Sequence, residues 1–207
     1  MSEPLAPQDE APDVFRSSVA ALRAGLGRVR PDIAIHEMAA PRRLAPHALA
    51  IAGSVERGGD EIAVGRLVLL IDPAGQPAWE GTARFVCYAR ATLEPEMAID
   101  PLLSEVAWSW LGSALDDHQA AHRALGGTVT STTSRRFGLL GADGDSFDVE
   151  MRCSWSPDWA ETARRGRRAW TPGGTTAHLH AFGDLLASMA GLPPRLPGVV
   201  PLPITHI

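Results

Sequence analysis

Two periodicities divide the chain. Phe15, Val19, Leu22 and Leu26 recur at three- and four-residue spacing. So do Leu103, Ala107, Trp110, Leu111, Ala114 and Leu115, and again Leu179, Phe182, Leu186 and Met189. Each set is the apolar stripe of an amphipathic helix. Between these stretches the period drops to two, the signature of strands with one buried face. Ile33 and Ile35 open a short run; Leu49, Ile51 and Val55 share one face of 48–56. Over 62–71, Leu67, Leu69 and Ile71 face inward, while Val64, Val68 and Leu70 make the other face apolar too, which predicts a central strand covered on both sides at its end. Phe85, Cys87 and Ala89 alternate with Arg84, Tyr88 and Arg90. The cleanest alternation sets Phe147, Val149, Met151, Cys153 and Trp155 against Asp148, Glu150, Arg152 and Ser154.

The boundaries come from turn and cap chemistry. Gly58-Gly59-Asp60, Asp72-Pro73-Ala74-Gly75 and Gly141-Ala142-Asp143-Gly144 predict hairpins. The longest helix is expected to start at Asp100-Pro101, where the carboxylate can take a free N–H and the proline has none to leave unpaired. A residue before proline avoids helical angles, so Glu94 and Asp100 should be extended. The helix is expected to run to about Ala124 and to stop at Gly126. The stretch 126–136 is rich in hydroxyls, with almost no apolar face, and reads as an edge strand or as one wall of a polar groove. The last helix should start near Thr175 or Thr176 and end at Gly191, before Pro193-Pro194.

Short links between strands make a mostly antiparallel sheet, and helices and strands do not alternate one for one. The expected class is therefore α+β: a twisted sheet of about six strands, three helices in the order α-ββββ-α-ββ-α, and the helices mainly on one face. Residues 1–11 read as a disordered leader and 12–194 as one α+β domain. Within it, 157–174 is an Arg-rich loop insert; 195–207 is a Pro-rich extended tail.

The 207 residues are 45% apolar with a mean hydropathy of −0.03, which suits a domain with a substantial core. Every one of the 19 basic residues is Arg. Net charge is −5, against non-specific binding of nucleic acid or anionic membrane by the whole surface. Two cysteines, no secretory h-region and no bilayer-length apolar run make the cytoplasm the expected compartment, with both thiols free.

Phosphate-binding glycine loops, nucleophile elbows, CxxC and HExxH are absent from the sequence, so no cofactor, metal or catalytic residue is expected. Four weaker signals remain. Glu94, Glu96, Asp100 and Glu105 cluster before the long helix; they read as a cation or acid/base site, or as a cap with solvated charges. Arg42, Arg43 and His47 lie in a proline-bounded loop where a guanidinium fork could grip an anion, or could pair with Glu94 or Glu96 to hold the loop. Trp108, on the flank of the helical stripe, could cover a neighbouring loop or line a pocket beside that junction. Arg164, Arg165, Arg167 and Arg168, between Trp159 and Trp170, read as a nucleic-acid handle or as a solvated insert. His118 and His122 are four apart on the expected helix, a metal-chelating spacing that lacks a third ligand, and His178 and His180 diverge.

Several strings resemble one family. Pro41-Arg42-Arg43-Leu44-Ala45-Pro46-His47-Ala48, Trp79-Glu80-Gly81-Thr82, Leu93-Glu94-Pro95-Glu96-Met97-Ala98 with Asp100-Pro101-Leu102-Leu103, Trp108-Ser109-Trp110-Leu111, Gly126-Gly127-Thr128-Val129-Thr130 and Ala190-Gly191-Leu192-Pro193-Pro194 are similar to an actinobacterial family catalogued as a domain of unknown function, the one numbered three thousand. The likeness covers roughly residues 12–194 outside the Arg-rich loop. It implies a cytoplasmic actinobacterial protein of uncharacterised role and brings no catalytic residues with it. The expected function is a non-enzymatic binding or adaptor protein, its partner another protein or a small anionic ligand. The alternatives are an enzyme using the Glu94–Asp100 carboxylates, and a nucleic-acid accessory protein using the Arg loop.

Overall fold

The computed structural model describes residues 11–159 and 172–194. Helix α1 (Asp13–Leu26) leads into β1 (Ala34–Met38), β2 (His47–Arg57), β3 (Asp60–Gln76) and β4 (Gly81–Thr92). Helices α2 (Pro95–Ala98) and α3 (Leu103–Asp117) follow, then β5 (His122–Ser134), β6 (Ser146–Pro157) and α4 (Pro172–Met189). The strands form a six-stranded antiparallel sheet in the order β1-β2-β3-β4-β6-β5. The α+β class, the antiparallel sheet and the polar edge strand β5 are as the sequence predicts.

One face of the sheet carries the core. Ile51, Leu67, Leu69, Phe85, Ala89, Met151 and Trp155 are all buried there, at alternate positions along their strands. Helix α4 lies over them, flanked by α1 and α3. Its Leu179, Phe182, Leu185, Leu186 and Met189 are buried, because a helix covered by sheet below and helices beside it must be apolar nearly all round. Two glycines make room for it. Gly53 and Gly65 are register partners in β2 and β3, and a Cβ on either would come within 2.8 Å of Leu186. The C-terminal end of α4 is held by two arginines: Arg57 donates to the Ala190 carbonyl and Arg30 to that of Pro193.

Four boundaries differ from expectation, each for a local reason. Helix α3 starts at Leu103 instead of Pro101; the Asp100 carboxylate instead accepts from the Leu102 N–H at 2.8 Å. It ends at Asp117 instead of Ala124, because Gln119 takes the left-handed conformation (φ 52°) and the Ala120 N–H reaches back to the Leu115 carbonyl, closing a Schellman-type cap without glycine. Gly126 is thereby freed for β5. The 72–75 stretch is an irregularity inside β3, and the chain reverses later, at Pro77–Trp79, with Glu80 left-handed. Helix α4 begins at Pro172, ahead of Thr175, since proline is tolerated in a first turn. The helix count also exceeds three, because the turn after β4 closes as α2 with Pro95 at its first position.

Cys87 and Cys153 are buried free thiols facing each other across β4 and β6. The hydrogen bond with Cys153, and then burial, push the Cys87 thiol well above its ordinary pKa. Burial keeps the reagent from both thiols, and the raised pKa also disfavours the reactive thiolate of Cys87, so neither cysteine should react with an aromatic disulfide reagent in the native protein, and both should react once it is unfolded. Absorbance at native and denaturing guanidinium concentrations checks this; rapid native reaction of either thiol contradicts it.

Candidate interaction surface

Antiparallel register sets the ends of the sheet apart. His47 pairs with Ile71 and Ile71 with Ala83, at one end. Ala63 pairs with Ala91 and Ala91 with Val149, at the other, where the 94–100 junction leaves β4. The interval Ala83–Ala91 at about 3.3 Å per residue is ~26 Å. The structure therefore places Arg42, Arg43 and His47 at the opposite end from Glu94 and Glu96, so neither a shared pocket nor an Arg–Glu tie between them forms. Arg42 and Arg43 are exposed, Arg43 with a left-handed φ of 71°. His47 is half-buried, its ring centroid 5.3 Å from that of Phe15. Trp108 is half-buried against the main core.

The histidine pairs also change their meaning. His118 caps α3 and His122 opens β5, so they do not share a helix face. His118 Nε2 instead lies 2.6 Å from Asp184 Oδ2, tying the end of α3 to α4. His178 is buried and accepts the Trp155 indole N–H on Nδ1 at 3.1 Å. Among the described residues, no three His, Cys, Asp or Glu side chains converge to hold a metal ion. Arg164, Arg165, Arg167 and Arg168 lie outside the described residues. No helix among those described is long and apolar enough to cross a membrane.

What the junction does bring together is apolar surface and carboxylates. Helix α2 turns the chain after β4: Glu94 is extended (ψ 146°) and its carbonyl accepts from Met97 and Ala98 N–H groups. The chain then steps through Asp100 into α3, whose buried stripe is Leu103, Ala107, Leu111, Ala114 and Leu115. Leu102 and Val106 sit one position before Leu103 and Ala107, so they point off that stripe into water. Met97, Ile99, Leu102 and Val106 are exposed, Ile99 at 79% and Leu102 at 59%. Glu94, Glu96, Asp100 and Glu105 are exposed among them. No Arg or Lys occurs between Leu93 and His122. The β5–β6 hairpin, closed by the Ser134–Ser146 pair, projects from the same end with Phe137, Leu139 and Leu140 exposed at its tip.

The carboxylates were legible in the sequence as a cluster, but the apolar half of the surface was not singled out. Its signal was present in Met97, Ile99, Leu102 and Val106, apolar positions off the helical stripe. Over residues 11–200 the sequence matches the model of a family described as Protein of unknown function (DUF3000). No curated protein and no solved structure matches the chain.

Proposed function

The chain belongs to the DUF3000 family, whose description assigns no chemistry, and from its acidic, apolar end we propose that it is a non-enzymatic binding or adaptor protein. The observation that carries this reading is the alternation of exposed Met97, Ile99, Leu102 and Val106 with exposed Glu94, Glu96, Asp100 and Glu105. Clustered apolar side chains left in water mark a surface that a partner covers. The carboxylates define the partner's sign. Like charge opposes a second copy of the same surface, and an opposite charge steers association and fixes register. The partner is therefore a cationic, amphipathic segment of another protein, with apolar anchors at helical spacing and Arg or Lys between them.

A fluorescein-labelled peptide with Leu and Arg at helical spacing should bind the wild-type protein with an affinity that falls as salt is raised. The Ile99→Ser/Leu102→Ser double variant should lose about 30-fold, the cost of removing interface anchors. Its melting curve should stay near wild type, because exposed positions contribute little to folding. Equal binding by the wild type and the variant, or preference for the same peptide carrying Glu in place of Arg, removes this reading.

A further inference from the structure

The face of the sheet away from the helices carries a second feature, separate from the docking end. Register places His36 opposite Ala52, Ala52 opposite Arg66, Arg66 opposite Tyr88, Tyr88 opposite Arg152 and Arg152 opposite Thr128. Paired residues share a face, so these six form one row across all six strands. At its centre the Arg152 guanidinium carbon stands 5.6 Å from the centroid of the Tyr88 ring. Glu150 braces both: it accepts the Tyr88 hydroxyl at 3.0 Å and the Arg152 Nε–H at 2.6 Å. Arg66 has no hydrogen bond or ion pair among the described residues.

Beside this row the surface dips. An open groove of about 650 Å³ is lined by Arg66, Val86, Tyr88, Gly126, Arg152 and Ser154, among others. The dip exists because β5 presents glycine where a side chain would stand: a Cβ on Gly126 meets nothing within 4 Å. Arg84 lies next to the groove, donating to Ser154 Oγ at 2.8 Å, to Ser156 Oγ and to the Ala124 carbonyl. Asp148 and Glu150 are matched by Arg90 and Arg152, and Arg84 feels the opposite charge of Glu80, which leaves Arg66 as the guanidinium of the row without an acidic partner among the described residues. An unpaired guanidinium supplies a fork for a phosphate or carboxylate. A braced tyrosine with an arginine over its ring and an apolar Val86 beside it supplies a surface for a flat ring.

We propose that the open sheet face is a binding site for a small flat anion, an aromatic ring bearing a phosphate or carboxylate, with the anion on Arg66 and Arg152 and the ring against Tyr88 and Val86. Gly126 is the residue whose missing side chain admits the ring. Isothermal titration with adenosine 5′-monophosphate and with 2-naphthoate distinguishes the two anion sources. At least one should bind one-to-one, and its neutral counterpart, adenosine or 2-naphthalenemethanol, should bind at least roughly tenfold more weakly. Gly126→Leu, which puts a side chain into the groove from a position where a Cβ meets nothing within 4 Å, and Arg66→Ala should each weaken binding by a similar factor while circular dichroism and melting stay at wild type. Ile99→Ser/Leu102→Ser should leave this binding unchanged, since it alters only the docking end. Absence of binding by both anions, equal binding of the neutral compounds, or full binding by Gly126→Leu would overturn the site.

Discussion

Replacing Gly65 by valine should lower the thermal unfolding midpoint by about 10 °C. The position is an ordinary extended residue in β3, so backbone strain is not the cause. The cause is space. A Cβ there would stand 2.8 Å from Leu186 Cδ2, 2.9 Å from Phe182 Cε2 and 2.9 Å from the Tyr88 carbonyl oxygen. The first two are side-chain atoms of α4, both in fully packed residues; the third is backbone of the neighbouring strand and cannot swing away. Overpacking of this kind costs about 3 kcal/mol. For a domain of this size each kcal/mol moves the midpoint by about 2–4 °C. Gly53→Val should act in the same direction, since its Cβ meets Leu186 Cδ1 at 2.8 Å and Phe182 Cε1 at 3.2 Å. Gly112→Ala, where nothing lies within 4 Å, serves as the control and should hold or slightly raise the midpoint. A Gly65→Val protein melting with the wild type would mean that α4 does not rest on the Gly53–Gly65 pair.

The second large effect is on acid stability and comes from His178. Its ring lies 4.7 Å from that of Phe85, receives the Trp155 N–H on Nδ1, and so holds its own proton on Nε2. Burial first, and then the neighbouring His122, push its pKa down to about 3. In the unfolded chain a histidine titrates near 6.5. Below that pH the unfolded chain takes up a proton that the folded chain refuses. The contribution of this group is fully present above about pH 6.5 and is lost as the pH falls toward 3, at roughly 1.4 kcal/mol per pH unit. Over the whole window this amounts to roughly 4–5 kcal/mol. His178→Asn places an acceptor near Nδ1 for the Trp155 indole and removes the titration. The variant should be less stable than wild type at pH 7.5, through lost packing, and its stability should fall less steeply between pH 6 and pH 4. Denaturant midpoints across that range measure the two slopes. The lowered carboxylates of Glu37, held by Arg23, and Glu150, held by Arg152, act equally in both proteins and cancel in the comparison. Parallel slopes would remove His178 as the cause.

The sequence by itself determined the sheet class and the helix-facing side of β2, β3, β4 and β6. Alternation over Phe147–Trp155 leaves one arrangement that buries Val149, Met151, Cys153 and Trp155 together, because a one-residue slip would turn all of them to water. It also determined the stop at Gly191, whose φ of 66° a glycine adopts at no steric cost. Other features depended on atoms distant in the chain. Gln119 ends α3 in a conformation that any non-glycine residue resists, and only its bond pattern, with Ala120 buried, makes the stop stable. The gap between the Arg42–His47 loop and the Glu94–Asp100 junction follows from which ends of β2, β3 and β4 are paired. The exposure of Ile99 and Leu102 follows from which side of α3 meets α4. The Arg66–Tyr88–Arg152 row joins β3, β4 and β6, and Arg66 lies on a face of β3 that otherwise reads as apolar, so no single strand shows the row. Local patterning sets what a segment becomes, since its periodicity acts within a few residues. Register and helix docking set which side chains become neighbours, since those contacts exist only after the chain has closed on itself.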